Sequence, residues 1–284
     1  EKLAEWEAKK TAAKEKGKKF NQRKPRMIQD PAKSNRIPST LYNGMIAPLV
    51  PYAVKGAIWY QGESNAGYQN DKYQKHFSAL IEGWRTAWGQ DRLDFYFCQL
   101  AQFRDPVTKP VDNDGWVNVI YQQFLTALAV PHTGMAVLND IGEANDIHPH
   151  NKVDAGKRLS LWALAKTYNK DLTAHSGPLY KSSKIEGSKV IIDFDSVGSG
   201  LVTGKKVLLD PAIEVQEELK HFQIKGADNV WKWANAKIIS KNQVEVSHPE
   251  VSAPVEVRYA WAPNAKGANL YNKEGLPASV FKTK

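Results

Sequence analysis

The sequence predicts an α/β protein in which a parallel-sheet region is followed by an antiparallel β-sandwich. Three observations carry that expectation. Short apolar runs alternate with longer stretches of helical period between residues 37 and 176. Residues 177–284 hold short apolar runs separated by Gly, Pro, Asn or Asp. With 42% hydrophobic and 24% charged residues among 284, the chain can bury a substantial core, which excludes a disordered polymer.

Residues 1–36 form a segment of their own. They are rich in Lys, Ala and Glu, then turn polar around Pro25 and Pro31, which predicts a helix followed by an extended linker. Eleven Lys or Arg against five Asp or Glu in residues 1–35 supply +6 of the net +9, so the remainder carries an ordinary +3. Such a run can hold phosphate nonspecifically, but a solvated spacer is the simpler reading, and no specific nucleic-acid partner is expected. Residues 1–19 lack the apolar centre of a secretory signal. No apolar run approaches the roughly 18 to 20 residues that span a bilayer, so no membrane span is expected. Cys98 is the only cysteine, which rules out a disulfide framework, a Cys-based zinc site and a C-x-x-C redox pair.

Within residues 37–176, strands are expected at 55–61, 93–100 and 134–139, with helices at 71–88, 116–130 and 150–166. Tyr73, Phe77, Leu80, Ile81, Trp84 and Trp88 recur at steps of three and four, one face of a helix. Three strands are few for a complete doubly wound sheet. In residues 177–284, strands are expected at 189–194, 201–207, 222–225, 236–239, 243–246 and 255–260. Clean alternation in 244–247 and 255–259 places one face inward.

Two polar clusters follow expected strands, where an open parallel sheet holds its ligands. The first is Trp59-Tyr60-Gln61-Gly62-Glu63-Ser64-Asn65, with donors and acceptors around a glycine that lets the backbone approach a ligand. Residues 62–66 also approximate the G-x-S-x-G nucleophile elbow, Ala66 replacing the last glycine, which would make Ser64 the attacking group. Residues 67–70 read as continued loop rather than the helix an elbow requires. The second cluster, residues 139–150 (NDIGEANDIHPH), sets Asp146 two positions before His148, with Asp140 and Glu143 nearby. A carboxylate beside a histidine orients the imidazole as a general base and stabilises its protonated form. A metal site from Asp146, His148 and His150 is the weaker reading, because a third well-spaced ligand is not evident. A further alternative is a noncatalytic carbohydrate-binding module presenting Trp231, Trp233, Tyr259 and Trp261, although such aromatics more often fill a sandwich core.

The block at residues 38–66 (PSTLYNGMIAPLVPYAVKGAIWYQGESNA) closely resembles bacterial sialate O-acetylesterases of the SGNH-hydrolase superfamily. The stretches 127–137, 140–164 and 255–281 resemble the same family, so the likeness spans about residues 37–284. The resemblance implies a flavodoxin-like three-layer α/β esterase domain, here partial, over 37–176 and β-sandwich material over 177–284. It implies removal of O-acetyl groups from sialic acid or related sugars without metal or organic cofactor, in a periplasmic or secreted setting. His148 matches the family's base, and Asp146 would orient it. Gln61, Gly62, Glu63, Ser64 and Asn65 match the block that shapes the oxyanion hole and substrate crevice, and Gln123 lies in a helix that contributes to it. The family's serine sits in a G-Q-S-N-type motif that this sequence does not contain. The expectation is therefore that the chain is the C-terminal portion of a longer esterase, with its serine in a preceding portion and residues 1–36 as an internal linker.

Overall fold

Three short parallel strands carry the first half of the fold: β1 (Gly56–Trp59), β2 (Asp94–Cys98) and β3 (Thr133–Ala136), in the order β1-β2-β3. The computed structural model describes residues 2–25 and 37–283. The central strand reads Asp-Phe-Tyr-Phe-Cys and is buried on both sides, as a parallel strand covered by helices should be. On one face, Phe95 and Phe97 meet Phe77 of α2 (Tyr73–Trp88), the Phe77 and Phe97 rings standing 4.9 Å apart edge to face. On the other face Tyr96 stacks on Trp162, the last residue of α4 (Lys152–Trp162), 6.3 Å between centroids. α3 (Gly115–Ala129) joins the α2 side, its start capped by the Asp114 carboxylate, which accepts from the Trp116 and Val117 amides. α4 lies so close to β3 that a Cβ on Gly134 would fall 2.3 Å from the Trp162 ring, and the indole donates to the Met135 carbonyl at 3.0 Å. β1 is less protected. Among the described residues nothing pairs with its outer edge, and Ile58 is 71% exposed.

The second half is antiparallel. One sheet has the order β10-β11-β5-β4, from β4 (Leu179–Glu186), β5 (Lys189–Asp195), β10 (Asn235–Ser240) and β11 (Gln243–Ser247). A second, β14-β12-β8-β9, is built from β8 (Phe222–Gly226), β9 (Lys232–Trp233), β12 (Pro254–Tyr259) and β14 (Phe281–Lys282). β6 (Leu201–Lys205), β7 (Ile213–Glu214) and β13 (Leu270–Asn272) make a third, in the order β13-β6-β7. Alternation places Val190, Ile192 and Phe194 of β5 inward, where they share a core with Ile224, Val257 and Phe281 of the second sheet. Phe281 is its hub, stacked on Tyr180 at 4.9 Å and edge-on to Phe194 at 5.5 Å. Tyr259 and Trp261, two of the four aromatics that would present faces to sugar, are buried and belong to this core.

The molecule divides into two compact units, residues 1–53 and 54–284, so both sheet regions lie in one unit. The first unit contains the expected basic helix, α1 (Lys2–Glu15), with Trp6 edge-on to Phe20 and its indole donating to the Gln22 carbonyl. Residues 42–49 form a π turn and a 3-10 turn. The expected linker falls largely at 26–36, outside the described residues. None of the described helices is long and apolar enough to cross a membrane.

Phe281 sits two residues from the last described position yet is fully buried. Phe281→Ala should therefore destabilise the fold by about 3–5 kcal/mol in chemical denaturation, far more than a frayed terminus would allow.

Candidate active site

Both polar clusters emerge at the carboxyl ends of the parallel strands. After β1 the chain passes through Gln61 to Gly62, whose φ of +151° is a conformation L side chains rarely adopt. Space is also lacking: a Cβ there would stand 3.0 Å from Val119 Cγ1 and 3.1 Å from Gln123 Nε2. Gln123 is 1% exposed, and both ends of its amide hold backbone. Its Nε2 donates to the Gln61 carbonyl at 3.1 Å and its Oε1 accepts from the Leu100 amide at 2.8 Å, clamping the ends of β1 and β2 together. The Gln61 side chain is likewise occupied, its Nε2 donating to Asn65 Oδ1 at 2.8 Å while Tyr73 Oη donates to the Gln61 carbonyl at 2.8 Å. With its oxygen engaged, Asn65 keeps an amide nitrogen that makes no hydrogen bond among the described residues. Residues Glu63–Gly67 form a 3-10 turn, and α2 begins only at Tyr73. Ser64 is exposed on that turn, and no hydrogen bond joins it to an imidazole among the described residues.

The loop after β3 is fixed at its root. Asp140 receives two hydrogen bonds from Arg158 of α4, 2.6 and 2.7 Å long, and a third from Tyr271 Oη of β13 at 3.2 Å. Arg158 also donates to the Val137 carbonyl at 2.6 Å. Further on, the loop is closed by a single carboxylate. Glu143 Oε1 accepts from the His150 amide at 2.7 Å, and His150 Nδ1 lies 2.8 and 2.9 Å from the two Glu143 oxygens. Asp146 and His148 project from the arc so closed. The His148 amide donates to Asp146 Oδ1 at 2.8 Å, whereas the imidazole Nδ1 lies 3.7 Å from that oxygen, beyond hydrogen-bond reach. Both imidazoles are 79% exposed by side chain. Among the described residues no three of His, Cys, Asp and Glu stand together as metal ligands.

The first cluster touches the helix that follows the second. Lys152, the first residue of α4, holds its ammonium 5.1 Å from the centre of the Tyr60 ring, immediately after β1. The charge environment of Cys98 at the end of β2 shows the same neighbourhood. Burial pushes this thiol up to about 12, Lys152 and Arg158 oppose the shift, and Glu63 adds to it. The closed arc of residues 143–150 is the feature the sequence did not announce, since a pair seven residues apart across a loop has no periodic signature.

The carbohydrate esterase, sialic acid-specific acetylesterase family matches residues 27–169, half of the chain. The chain belongs to this family. It is 30% identical to the sialate O-acetylesterase of Homo sapiens over 266 residues, which cover 86% of this chain and 48% of that protein. The sialate O-acetylesterase of Rattus norvegicus is also 30% identical, with 89% and 48% covered. A carbohydrate acetylesterase of known crystal structure from Xanthomonas citri superposes with a TM-score of 0.77 at 40% identity, covering 86% of this chain and 54% of that one. The chain thus spans about half the length of these relatives.

Two predictions follow from the geometry. Gly62→Ala strains the backbone and crowds Gln123, so its unfolding midpoint should fall by an amount corresponding to about 1–3 kcal/mol. The Glu143–His150 pair has a definite pH signature. The hydrogen bond to Glu143, then its charge, raises the imidazole above its ordinary 6.5; the His150 amide, then its ring, lowers the carboxyl below its ordinary 4.5. The raised imidazole contributes fully below 6.5 and loses its effect as pH rises through the folded pKa. The lowered carboxyl contributes above 4.5 and loses its effect as pH falls through the folded pKa. Closure is therefore strongest between about pH 4.5 and 6.5. Titration of the His150 ring by NMR should show a midpoint above 6.5 that returns towards it in Glu143→Gln.

Proposed function

We propose that this chain carries the general base and part of the oxyanion-binding wall of an esterase that removes O-acetyl groups from sugars, sialic acid or a related acetylated sugar. The observation that carries the reading is the contact of Tyr60, in the first strand-end cluster, with Lys152, two residues past the second. Family membership and the likeness to sialate O-acetylesterases and a carbohydrate acetylesterase support it. On this reading the parallel-sheet region is part of a flavodoxin-like three-layer domain, and the antiparallel sheets after it form a β-sandwich.

The attacking serine is supplied by a segment outside this chain. Three observations support that: the chain spans about half of its curated relatives, no described strand pairs with the outer edge of β1, and no hydrogen bond joins a serine to an imidazole among the described residues. In the reaction, His148 takes the proton from the serine hydroxyl as its oxygen attacks the acetyl carbonyl, then delivers it to the departing sugar oxygen. Asp146 holds the backbone of His148 and needs a shift of only a few tenths of an ångström to engage Nδ1. Backbone NH groups at Gly62 and Glu63, with the Asn65 amide, stabilise the tetrahedral oxyanion. Gln61 and Gln123 position that wall, because their own amides are spent on neighbouring groups. Ser64 lines the crevice without attacking.

p-Nitrophenyl acetate hydrolysis tests the reading. The chain alone should turn over little substrate, with Ser64→Ala no different. When the preceding segment is restored, His148→Ala should reduce kcat by about 10³-fold or more, and Asn65→Ala by roughly 10²-fold. Turnover indifferent to His148 would overturn the assignment, and robust activity that depends on Ser64 would revive the nucleophile elbow.

A further inference from the structure

The histidine loop is held at its root by Arg158 and in its middle by Glu143. Its far end, where α4 begins, is held from the antiparallel region. Asn151 caps α4: its Oδ1 accepts from the Asp154 amide at 3.0 Å, and its Nδ2 donates to Asp154 Oδ2 at 2.6 Å. The same carboxylate oxygen lies 2.7 Å from the ammonium of Lys206, the residue that follows β6. Lys206 also donates to the Leu208 carbonyl at 2.9 Å and to the Asp210 carbonyl at 2.6 Å. Asn151 Nδ2 reaches that Leu208 carbonyl as well, at 3.3 Å, which closes a ring of four groups.

An ammonium has three donors, and all three are used here. The Lys206 side chain is 6% exposed, whereas lysine is among the residues least often buried. The turn around it bends to suit. Leu208 takes a φ of +45°, which a branched side chain seldom adopts, and its side chain gains no cover, being 85% exposed. What the bend secures is the aim of a carbonyl at Lys206 and Asn151. Between this ring and the His148 imidazole stand only Pro149, with its fixed φ, and His150, whose amide and ring Glu143 both holds. The link is stiff, so a tilt of the first turn of α4 is carried to the imidazole.

We propose that Lys206 is a positioning residue for His148: through Asp154 and Asn151 it fixes the end of the histidine loop and so sets the reach of the general base. The inference rests on the esterase reading above. It adds a residue that touches neither substrate nor the reacting atoms and comes from the antiparallel region. A general base displaced by less than an ångström loses much of its effect.

Two variants and two measurements test this. K206M removes the donors. D154N leaves Lys206 its two carbonyls within its own turn but weakens the tie to α4, and it carries the test if K206M does not fold. In the chain as it stands, backbone ¹⁵N order parameters at His148 and His150 should fall in both variants from about 0.85 towards 0.6, while Leu100 stays unchanged. With the preceding segment restored, both should lower kcat for p-nitrophenyl acetate by about 10- to 100-fold and leave KM unaltered. Added to His148→Ala, K206M should lower kcat no further, because its effect passes through that imidazole. The proposal is overturned if D154N leaves order parameters and kcat unchanged, if KM rises while kcat holds, or if K206M costs as much without His148 as with it. Absence of any turnover in the restored protein would count against the esterase reading, and the order parameters would still decide whether Lys206 holds the loop.

Discussion

Asp140 and Arg158 meet almost wholly out of water, their side chains 4% and 7% exposed, and the position of the histidine loop depends on that meeting. Two buried charges are costly to hold unless every donor and acceptor finds a partner. Here the fork of two short hydrogen bonds, the Val137 carbonyl and the Tyr271 hydroxyl supply them. The pair joins the end of one parallel strand to the helix that follows, so the intervening loop is anchored at both ends. Tyr271 comes from β13, some 130 residues later, which makes the antiparallel region part of the scaffold rather than an appendage.

That integration recurs along the border of the two regions. Gln99, at the end of β2, donates to Ser279, and Asn139 donates to the Ala278 carbonyl. Arg258 spends its guanidinium on Gln223 and on the Val111 carbonyl while lying 3.9 Å from the centre of the Trp231 ring, with the Asp112 and Glu256 charges further off. Burial lowers its pKa to about 10. The loop between β2 and α3 is thus held by side chains from strands far away in sequence, and α3 carries the Gln123 amide that sets the first cluster. Rigid support of this kind keeps a strand-end constellation within the few tenths of an ångström that chemistry demands.

The sequence disclosed what periodicity can encode. The three parallel strands and the helices α2 and α3 lie close to where apolar runs and steps of three and four place them, because each buries a continuous stripe. β11 was visible from its alternation, and β5 and β8 as apolar runs between turn residues; β12 lies where expected but departs from clean alternation, Val255 being exposed and Arg258 buried. β4 was not: Leu-Tyr-Lys-Ser-Ser-Lys-Ile-Glu is an edge strand with mostly exposed residues, held by its ladder to β5 rather than by an apolar face. β7, β9, β13 and β14 are two or three residues long, too short for any pattern. At the site, the glutamine, glycine and histidine positions stood out by composition. The uses of their side chains did not. Nothing in the spacing said that Gln123 would be sealed beneath the crevice, or that Glu143 would choose His150 while Asp146 settled on a backbone amide.

β1 closes the sheet on one side only nominally. Among the described residues its outward N–H and C=O groups form a ladder with one rail missing, and Ile58 offers a greasy foothold next to it. Such rims recruit whatever extended chain comes within reach. In concentrated solution, copies of this polypeptide would be expected to adhere rim to rim there, so colloidal behaviour, rather than any change in catalytic chemistry, would give the first sign that the rim is unshielded.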